Sequence, residues 1–320
     1  MESLTKNRQS VETIQKMVQY TLNRKIASTD DAIIELEDGW FNVAYSIKLS
    51  DGIEVILKIS PSPNIPVMTY EKDMMKNEVH FLKMAQSLGI PCPSIYGYDT
   101  SKKVCSSDYF FMEKLEGHSF EHIKNSLDEP TIKSINYEIG HLTKQLNSNT
   151  NSSFFGYWHS PILQAPTWKE AFLKMIDAIL EDGIANQVEI GYDYLYIRTI
   201  VSLNSDSLSE VTKPCLIHWD IWDSNVFINN QRISGILDFE RAFYGDPLAE
   251  ALFRMKEPNQ LLGYGIKTFS QNELCRMKLY DLYLALIMII EDSYRHYNNH
   301  SVKAYGLLLL SNTVNDLSHK

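Results

Sequence analysis

The 320-residue chain is short of cysteine motifs, long apolar runs and basic charge, and each shortage removes a class of protein. Its four cysteines, Cys92, Cys105, Cys215 and Cys275, form no Cys-x-x-Cys pair. That excludes a disulfide framework and a thiolate zinc site, and leaves reduced, structural thiols. Cys215, three residues before His218 on an apolar run, reads as core rather than nucleophile. The longest apolar run, Leu282 to Ile290, is too short to span a bilayer, and the amino terminus lacks the basic start and apolar centre of a secretory signal. A cytoplasmic protein without a membrane partner is expected. Thirty Lys and Arg against 40 Asp and Glu give a net charge of -10, which argues against nucleic acid as a partner. No repeat or low-complexity tract stands out beyond a polar first ten residues. What remains is a globular composition, 44% hydrophobic, long enough for one large or two ordinary domains.

The densest chemistry is His218 to Asn225, HWDIWDSN, followed thirteen residues after Asn225 by Asp238. Phosphoryl transfer needs a carboxylate beside the attacking hydroxyl and separate oxygen ligands for magnesium on the phosphates. Asp220, Asn225 and Asp238 supply these groups. Between the last two, VFINNQRISGIL reads as a hairpin turning at Asn229-Asn230, which sets Asn225 and Asp238 level at its open end. Asp220 stays off the metal.

Together these residues resemble the catalytic and metal-binding loops of the aminoglycoside phosphotransferase and choline kinase family, distant relatives of protein kinases. The resemblance spans residues 30 to 255 and implies an α+β, two-lobed, protein-kinase-like fold: a β-rich nucleotide lobe over residues 1–112, a mainly helical catalytic lobe over 113–320, and a hinge at 113–117. Residues 32 to 59 fit, alternating apolar and polar positions in three strands that break at Asp38-Gly39 and Asp51-Gly52. Lys58 lies in the third strand. Glu78 sits on the apolar stripe of a helical segment, Met68 to Gly89, where an acid needs a cation; Lys58 is the candidate, held against the nucleotide phosphates. The resemblance places adenine against backbone groups of Glu113 and Leu115, with Met112 as gatekeeper after the apolar strand from Tyr109. The loop Gly39 to Tyr45 has one glycine, so Lys58 and metal are expected to hold the phosphates more than loop amides do.

After Asp238 the chain departs from protein kinases, with Asp-Phe-Glu in place of Asp-Phe-Gly and no long activation loop. Asp246 is expected to brace the catalytic loop, and Glu250 stands where the family usually has aspartate. Glu240 fits either the substrate side or the lobe surface. His218 is a structural brace, its imidazole bonding backbone near the metal aspartate. Trp219 is expected beneath the loop, while Trp222 matches the fructosamine-kinase branch and offers an aromatic wall for an ammonium group.

Residues 1 to 112 carry a net charge of -2 and residues 113 to 320 a net of -8. That distribution favours an amine-bearing small-molecule acceptor, although solubility alone would produce it too. Helices are expected at 130–146, 167–181, 192–208, 271–297 and 302–317. Glu291 and Asp292, near the end of the longest, fit amine binding or a solvated acidic face. The implied activity is transfer of the γ-phosphoryl group of ATP or GTP, with Mg2+, to a hydroxyl. Aminoglycosides, choline or ethanolamine, amino-sugars and fructosamines are the acceptors in view; a silent nucleotide-binding regulator is the alternative. Oligomeric state is not legible.

Overall fold

Alternating side chains in the amino-terminal third produce a sheet with two distinct faces. The computed structural model describes residues 2–37, 39–266 and 268–318; Asp38, half of one expected strand break, lies outside the described residues. Helix α1 (Val11–Leu22), which no sequence expectation covered, is capped by Ser10 Oγ on the Thr13 amide. Strands β1 (Ile33–Leu36), β2 (Val43–Lys48) and β3 (Glu54–Ile59) follow, then α2 (Met74–Ser87), β4 (Ile95–Asp99) and β5 (Tyr109–Glu113). The five strands form an antiparallel sheet in the order β1-β2-β3-β5-β4. Val55, Leu57, Ile59, Tyr109 and Phe111 pack with Ile14, Met17 and Val18 of α1. The intervening Ile56, Phe110 and Met112 pack with Met75, Val79 and Leu82 of α2. Lys58, two residues from Ile56 and paired with Phe110, therefore points to the α2 side.

The helix expected from Met68 is helical only from Met74. Residues 69–71 instead form a 3-10 turn drawn towards the carboxy-terminal half. Thr69 donates from its backbone N and its Oγ1 to the Asp182 carboxylate, at 2.7 and 2.8 Å, and His159 Nε2 lies 2.8 Å from the Tyr70 carbonyl. Asp73 breaks the chain with a φ of 62°. Cross-lobe bonds thus override local helix propensity.

Beyond β5, a short strand β6 (His118–Ser119) and helix α3 (Phe120–Ile123) lead to α4 (Glu129–Asn147), α5 (Trp168–Ala185) and α6 (Tyr194–Asn204). Asp128, Thr167 and Asp193 cap the last three with their side chains. Helix α6 stops short of the expected Leu208, and a 3-10 turn continues to Glu210. The Asn204 side chain there donates to the Ile200 and Leu317 carbonyls. Strands β7 (Cys215–Ile217), β8 (Val226–Asn229), β9 (Arg232–Ile236) and β10 (Phe243–Gly245) carry the motif region. The hairpin β8–β9 is present, but its turn is one residue later than expected. Asn229 pairs with Arg232, and Asn230 and Gln231 hold the positive φ angles, 49° and 61°, of a two-residue turn.

Helices α7 (Ala251–Met255), α8 (Pro258–Tyr264), α9 (Gln271–Arg295) and α10 (Ser301–Ser318) complete the fold. A capping box between Ser270 and Glu273 starts α9. Its Tyr280, Tyr283, Leu286 and Ile290 share one core with Trp168, Phe172, Trp219 and Phe243. The result is α+β, β-rich at the amino terminus and mainly helical beyond the sheet. No helix among the described residues is long and apolar enough to cross a membrane.

Candidate active site

Strand β7 delivers the chain into the loop at 218–225, and buried backbone bonds hold that loop. His218 is fully buried. Its Nε2 lies 3.0 Å from the Leu237 carbonyl, and its Nδ1 accepts the Asp220 amide at 3.3 Å. This pairing puts the proton of a neutral ring on Nε2. Burial depresses the imidazole pKa to about 4. The brace expected of His218 is thus present.

The brace expected of Asp246 is supplied by Glu250. Glu250 accepts the amides of His218 and Trp219, both at 2.9 Å, and the Asn147 amide group at 2.8 Å. Burial pushes its pKa up to about 7 despite those donors. Asp246 binds Arg276 Nε at 2.8 Å and the Tyr280 hydroxyl at 2.7 Å, deeper among the helices. Trp219, with a φ of 76°, is buried under the loop as expected, with the Arg254 guanidinium 4.5 Å from its ring centroid. Trp222 is exposed.

Asn225 Nδ2 donates to the Asp220 carbonyl at 3.0 Å, which leaves its oxygen for another partner. The Leu237 amide donates to the Asn225 carbonyl at 2.9 Å, so the open end of the hairpin joins Asn225 to the residue before Asp238. Asp238, at a φ of 70°, places Oδ1 2.9 Å from Lys58 Nζ, and Lys58 Nζ lies 2.6 Å from Glu78 Oε1. The lysine, the helix acid and the hairpin acid, separated by up to 180 residues, therefore meet. Asn77, beside Glu78, donates to the carbonyls of Glu240 and Ala242 at 3.0 and 2.7 Å and ties α2 to this turn.

Glu240 is not on the lobe surface: it is buried and accepts Asn42 Nδ2 at 2.9 Å. One carboxylate oxygen each from Glu78, Asp238 and Glu240 lie within 4.8 Å of one another. Burial works against the charge of Lys58, but Asp238 and Glu78 outweigh it and hold the ammonium above the usual lysine range. Burial also opposes ionisation of Asp238, yet Lys58 keeps its pKa below the ordinary value. Glu78 is pushed by burial to about 7, and Glu240 is raised well above its usual range by burial and then by Asp238. Glu78 Oε2 and Asn42 Oδ1 are buried without a hydrogen-bond partner. One cation among three carboxylates, with two such oxygens unpartnered, is a donor set suited to a hard divalent ion.

Asp220 is raised by burial, against the pull of Arg241 and Arg254. Arg241 was not singled out from sequence, because no spacing rule marks it. It follows Glu240 directly and donates from Nη2 to Glu291 Oε2 at 3.1 Å. Glu291 and Asp292 are neither solvated nor available to an amine, since both are buried and paired. Glu291 holds Arg241 and Arg295, while Asp292 has His300 Nδ1 at 2.8 Å and Lys303 Nζ at 3.9 Å. On β5, between β3 and β4, Met112 is buried opposite Ile56. The Glu113 amide donates to the Ser94 carbonyl at 2.8 Å, and Leu115 lies over Gly235, where a Cβ would come within 2.4 Å of its Cδ1.

Similarity to known proteins is consistent with this geometry. A subtelomeric hrmA-associated cluster protein of Aspergillus fumigatus is 26% identical over 157 residues, 49% of this chain and 29% of that protein. The chain thus matches under a third of that curated relative's length. A putative fructosamine-3-kinase from Thermobifida fusca superimposes with a TM-score of 0.68 at 17% identity, over 97% of this chain and all of that one. The streptomycin-ATP ternary complex of the phosphotransferase APH(2")-IIa does so at 0.62 and 18%, over 98% of this chain and 97% of that one. These likenesses make the fold that of a two-lobed, protein-kinase-like enzyme. The model of the phosphotransferase enzyme family APH matches residues 32–253, and with most of the chain inside that match the protein belongs to this family of phosphotransferases.

Proposed function

We propose that the protein is a small-molecule kinase that moves the γ-phosphoryl group of ATP or GTP to a hydroxyl of its acceptor, with Mg2+, in the cytoplasm. The convergence of Lys58, Glu78 and Asp238 beside the Asp220–Asn225 loop carries this reading. The nucleotide lobe is taken as residues 1–112 and the catalytic lobe as 113–320. Asp220 orients the acceptor hydroxyl and receives its proton late in a loose transition state. Its burial favours the proton-accepting role, because a raised carboxyl pKa makes a stronger base.

Lys58 is positioned by Glu78 to meet the α and β phosphates, exchanging its contact with Asp238 for them. Asn225 and Asp238 would hold the magnesium ion, which supplies charge neutralisation on the phosphates when bound. Backbone groups of Glu113 and Leu115 take the base, and Met112 closes the pocket behind it. A silent nucleotide-binding regulator would have no use for an intact Asp220 in a loop whose neighbouring amides, at His218 and Trp219, are fixed by Glu250 and whose Asp220 carbonyl is held by Asn225.

The amine-bearing acceptor rests on the net charge of -8 in residues 113 to 320 and on the exposed Trp222 as a face for an ammonium group. Glu291 and Asp292 give it no support, being paired within the protein. The test is a mass-spectrometric screen with ATP and with GTP across aminoglycosides, choline, fructosamines and macrolides. A product heavier by one phosphoryl group, absent with Asp220→Asn, is expected. Tight nucleotide binding without turnover on any acceptor would favour the regulator instead.

A further inference from the structure

Residues 39–42 lie in the connection between β1 and β2, near the proposed phosphate site, and there Gly39 is followed by two large aromatic residues, Trp40 and Phe41. Phe41 shares a core with Met68, Tyr70 and Met74, and both aromatics also reach the carboxy-terminal half. Phe41 lies under the Arg295 guanidinium, 4.9 Å from ring centroid to Cζ, and Trp40 meets Tyr297 edge to face at 6.0 Å. Asn42 reaches Glu240. All three partners belong to the carboxy-terminal half.

Arg295, at the last turn of α9, is 1% exposed and joins three further groups. Its Nη2 contacts Glu71 Oε1 on the 3-10 turn before α2 and lies 3.2 Å from Glu291 Oε2. Its Nη1 donates to the Tyr297 hydroxyl at 2.7 Å. Glu291 Oε2 is shared with Arg241, whose positive charge favours ionisation of Asp220. A single planar guanidinium thus touches the loop, the segment leading to the Glu78 helix, and the acid that anchors Arg241. Lysine could not reproduce this, since the fork and the face are used together.

We propose that Arg295 is a positioning residue that docks the 39–42 loop on the carboxy-terminal lobe as a lid and joins the lid to the Arg241 side of the catalytic centre. Side chains hold the lid on the carboxy-terminal lobe: Phe41 on Arg295, Trp40 on Tyr297 and Asn42 on Glu240. Nucleotide must then enter and leave by releasing Phe41 from Arg295. The consequence for nucleotide rests on the kinase reading; the docking itself does not.

Two measurements test this on the full chain. Hydrogen exchange of amides 39–46 is followed in nucleotide-free wild type, Arg295→Met and Phe41→Leu, and dissociation of a fluorescent ATP analogue with Mg2+ is timed in the same proteins and the double variant. We expect lid amides to exchange at least tenfold faster in Arg295→Met, with a smaller rise in Phe41→Leu. Analogue release should quicken several-fold in each, with no further gain in the double variant, a coupling that a purely structural role would not give. Should Arg295→Met fail to fold, Phe41→Leu and Trp40→Ala carry the test, because both changes lie on the loop itself. Lid exchange at the wild-type rate in these variants, or release rates that multiply in the double variant, overturns the proposal. If the analogue does not bind at all, the kinase reading falls, while lid exchange still decides the docking.

Discussion

Two buried ionic clusters lie close together in this molecule and differ in balance. Around Arg295, two arginines meet two glutamates: Arg241 and Arg295 with Glu71 and Glu291. Around Lys58, one cation faces Glu78, Asp238 and Glu240. The first cluster is closed, with both glutamates buried. The second is open, its Asp238 side chain 32% exposed and its Glu240 pushed well above the usual range. A balanced set fastens parts of a protein together, whereas an unbalanced one is poised to receive charge from outside. The proposed catalytic chemistry belongs to the second cluster, and the junction between lobes to the first.

The largest effects should come from the open cluster and the catalytic loop beside it. Asp220→Asn should lower transfer by on the order of a hundred- to ten-thousandfold and leave nucleotide affinity near wild type. Asp238→Asn should lose Mg2+-dependent nucleotide binding as well. Binding isotherms and turnover on both variants check this, and equal loss of both functions in the two would show the roles to be misassigned. Next, Glu71→Gln should expose the dependence of the closed cluster on its balance. It leaves Arg295 short of a carboxylate in a dry site, at a cost of about 3 kcal/mol or more in denaturant unfolding.

His218 belongs to neither cluster; its ring is buried against the Leu237 carbonyl and Phe239. Its folded pKa of about 4 lies below the ordinary 6.5, so the unfolded chain takes up the proton first. Stability from this group is therefore complete above pH 6.5 and lost as pH falls towards 4, by roughly 3 kcal/mol in all. His218→Gln should remove that part of the acid slope, measured as unfolding free energy against pH; an unchanged slope would place the titration elsewhere. The smallest effect is expected from Glu240→Gln. Its carboxyl already resists ionisation, so neutralising it should change nucleotide-free stability by under about 1 kcal/mol, in contrast with Glu71→Gln.

What could be read from the residues alone followed how local the evidence was. The eight-residue loop and the hairpin after it bring Asp220, Asn225 and Asp238 together on sequence alone, and alternation marks the third strand that carries Lys58. Glu78 was reachable because an acid on an apolar helical stripe implies a cation nearby. The closed cluster was out of reach, since Glu71 and Arg295 are 224 residues apart and neither lies in a patterned motif. For the same reason Glu291 and Asp292 were read as amine-binding or solvated: their charge is visible in a sequence, but their partners are not. Asp246 and Glu250 follow the same turn in the sequence, and only the hydrogen bonds show that Glu250 is the brace. Helix α1 was passed over within a polar start, although Ser10 and the apolar Ile14, Met17 and Val18 were there to mark it.

Gly235 and Gly117 have a further consequence. A side chain at Gly235 would strike Leu115, and one at Gly117 would strike the Ile228 carbonyl at 2.0 Å. Ser234 Oγ and Asn229 Nδ2 fasten Glu116 to the same hairpin, at 2.9 and 3.0 Å. Under the proposed placement, the strip of chain that reads the purine is thereby sewn to the hairpin whose far end carries the metal ligands. The span from base to phosphate is then a fixed ruler, cut to the length of four paired residues, and a cosubstrate of another length would miss one end of it.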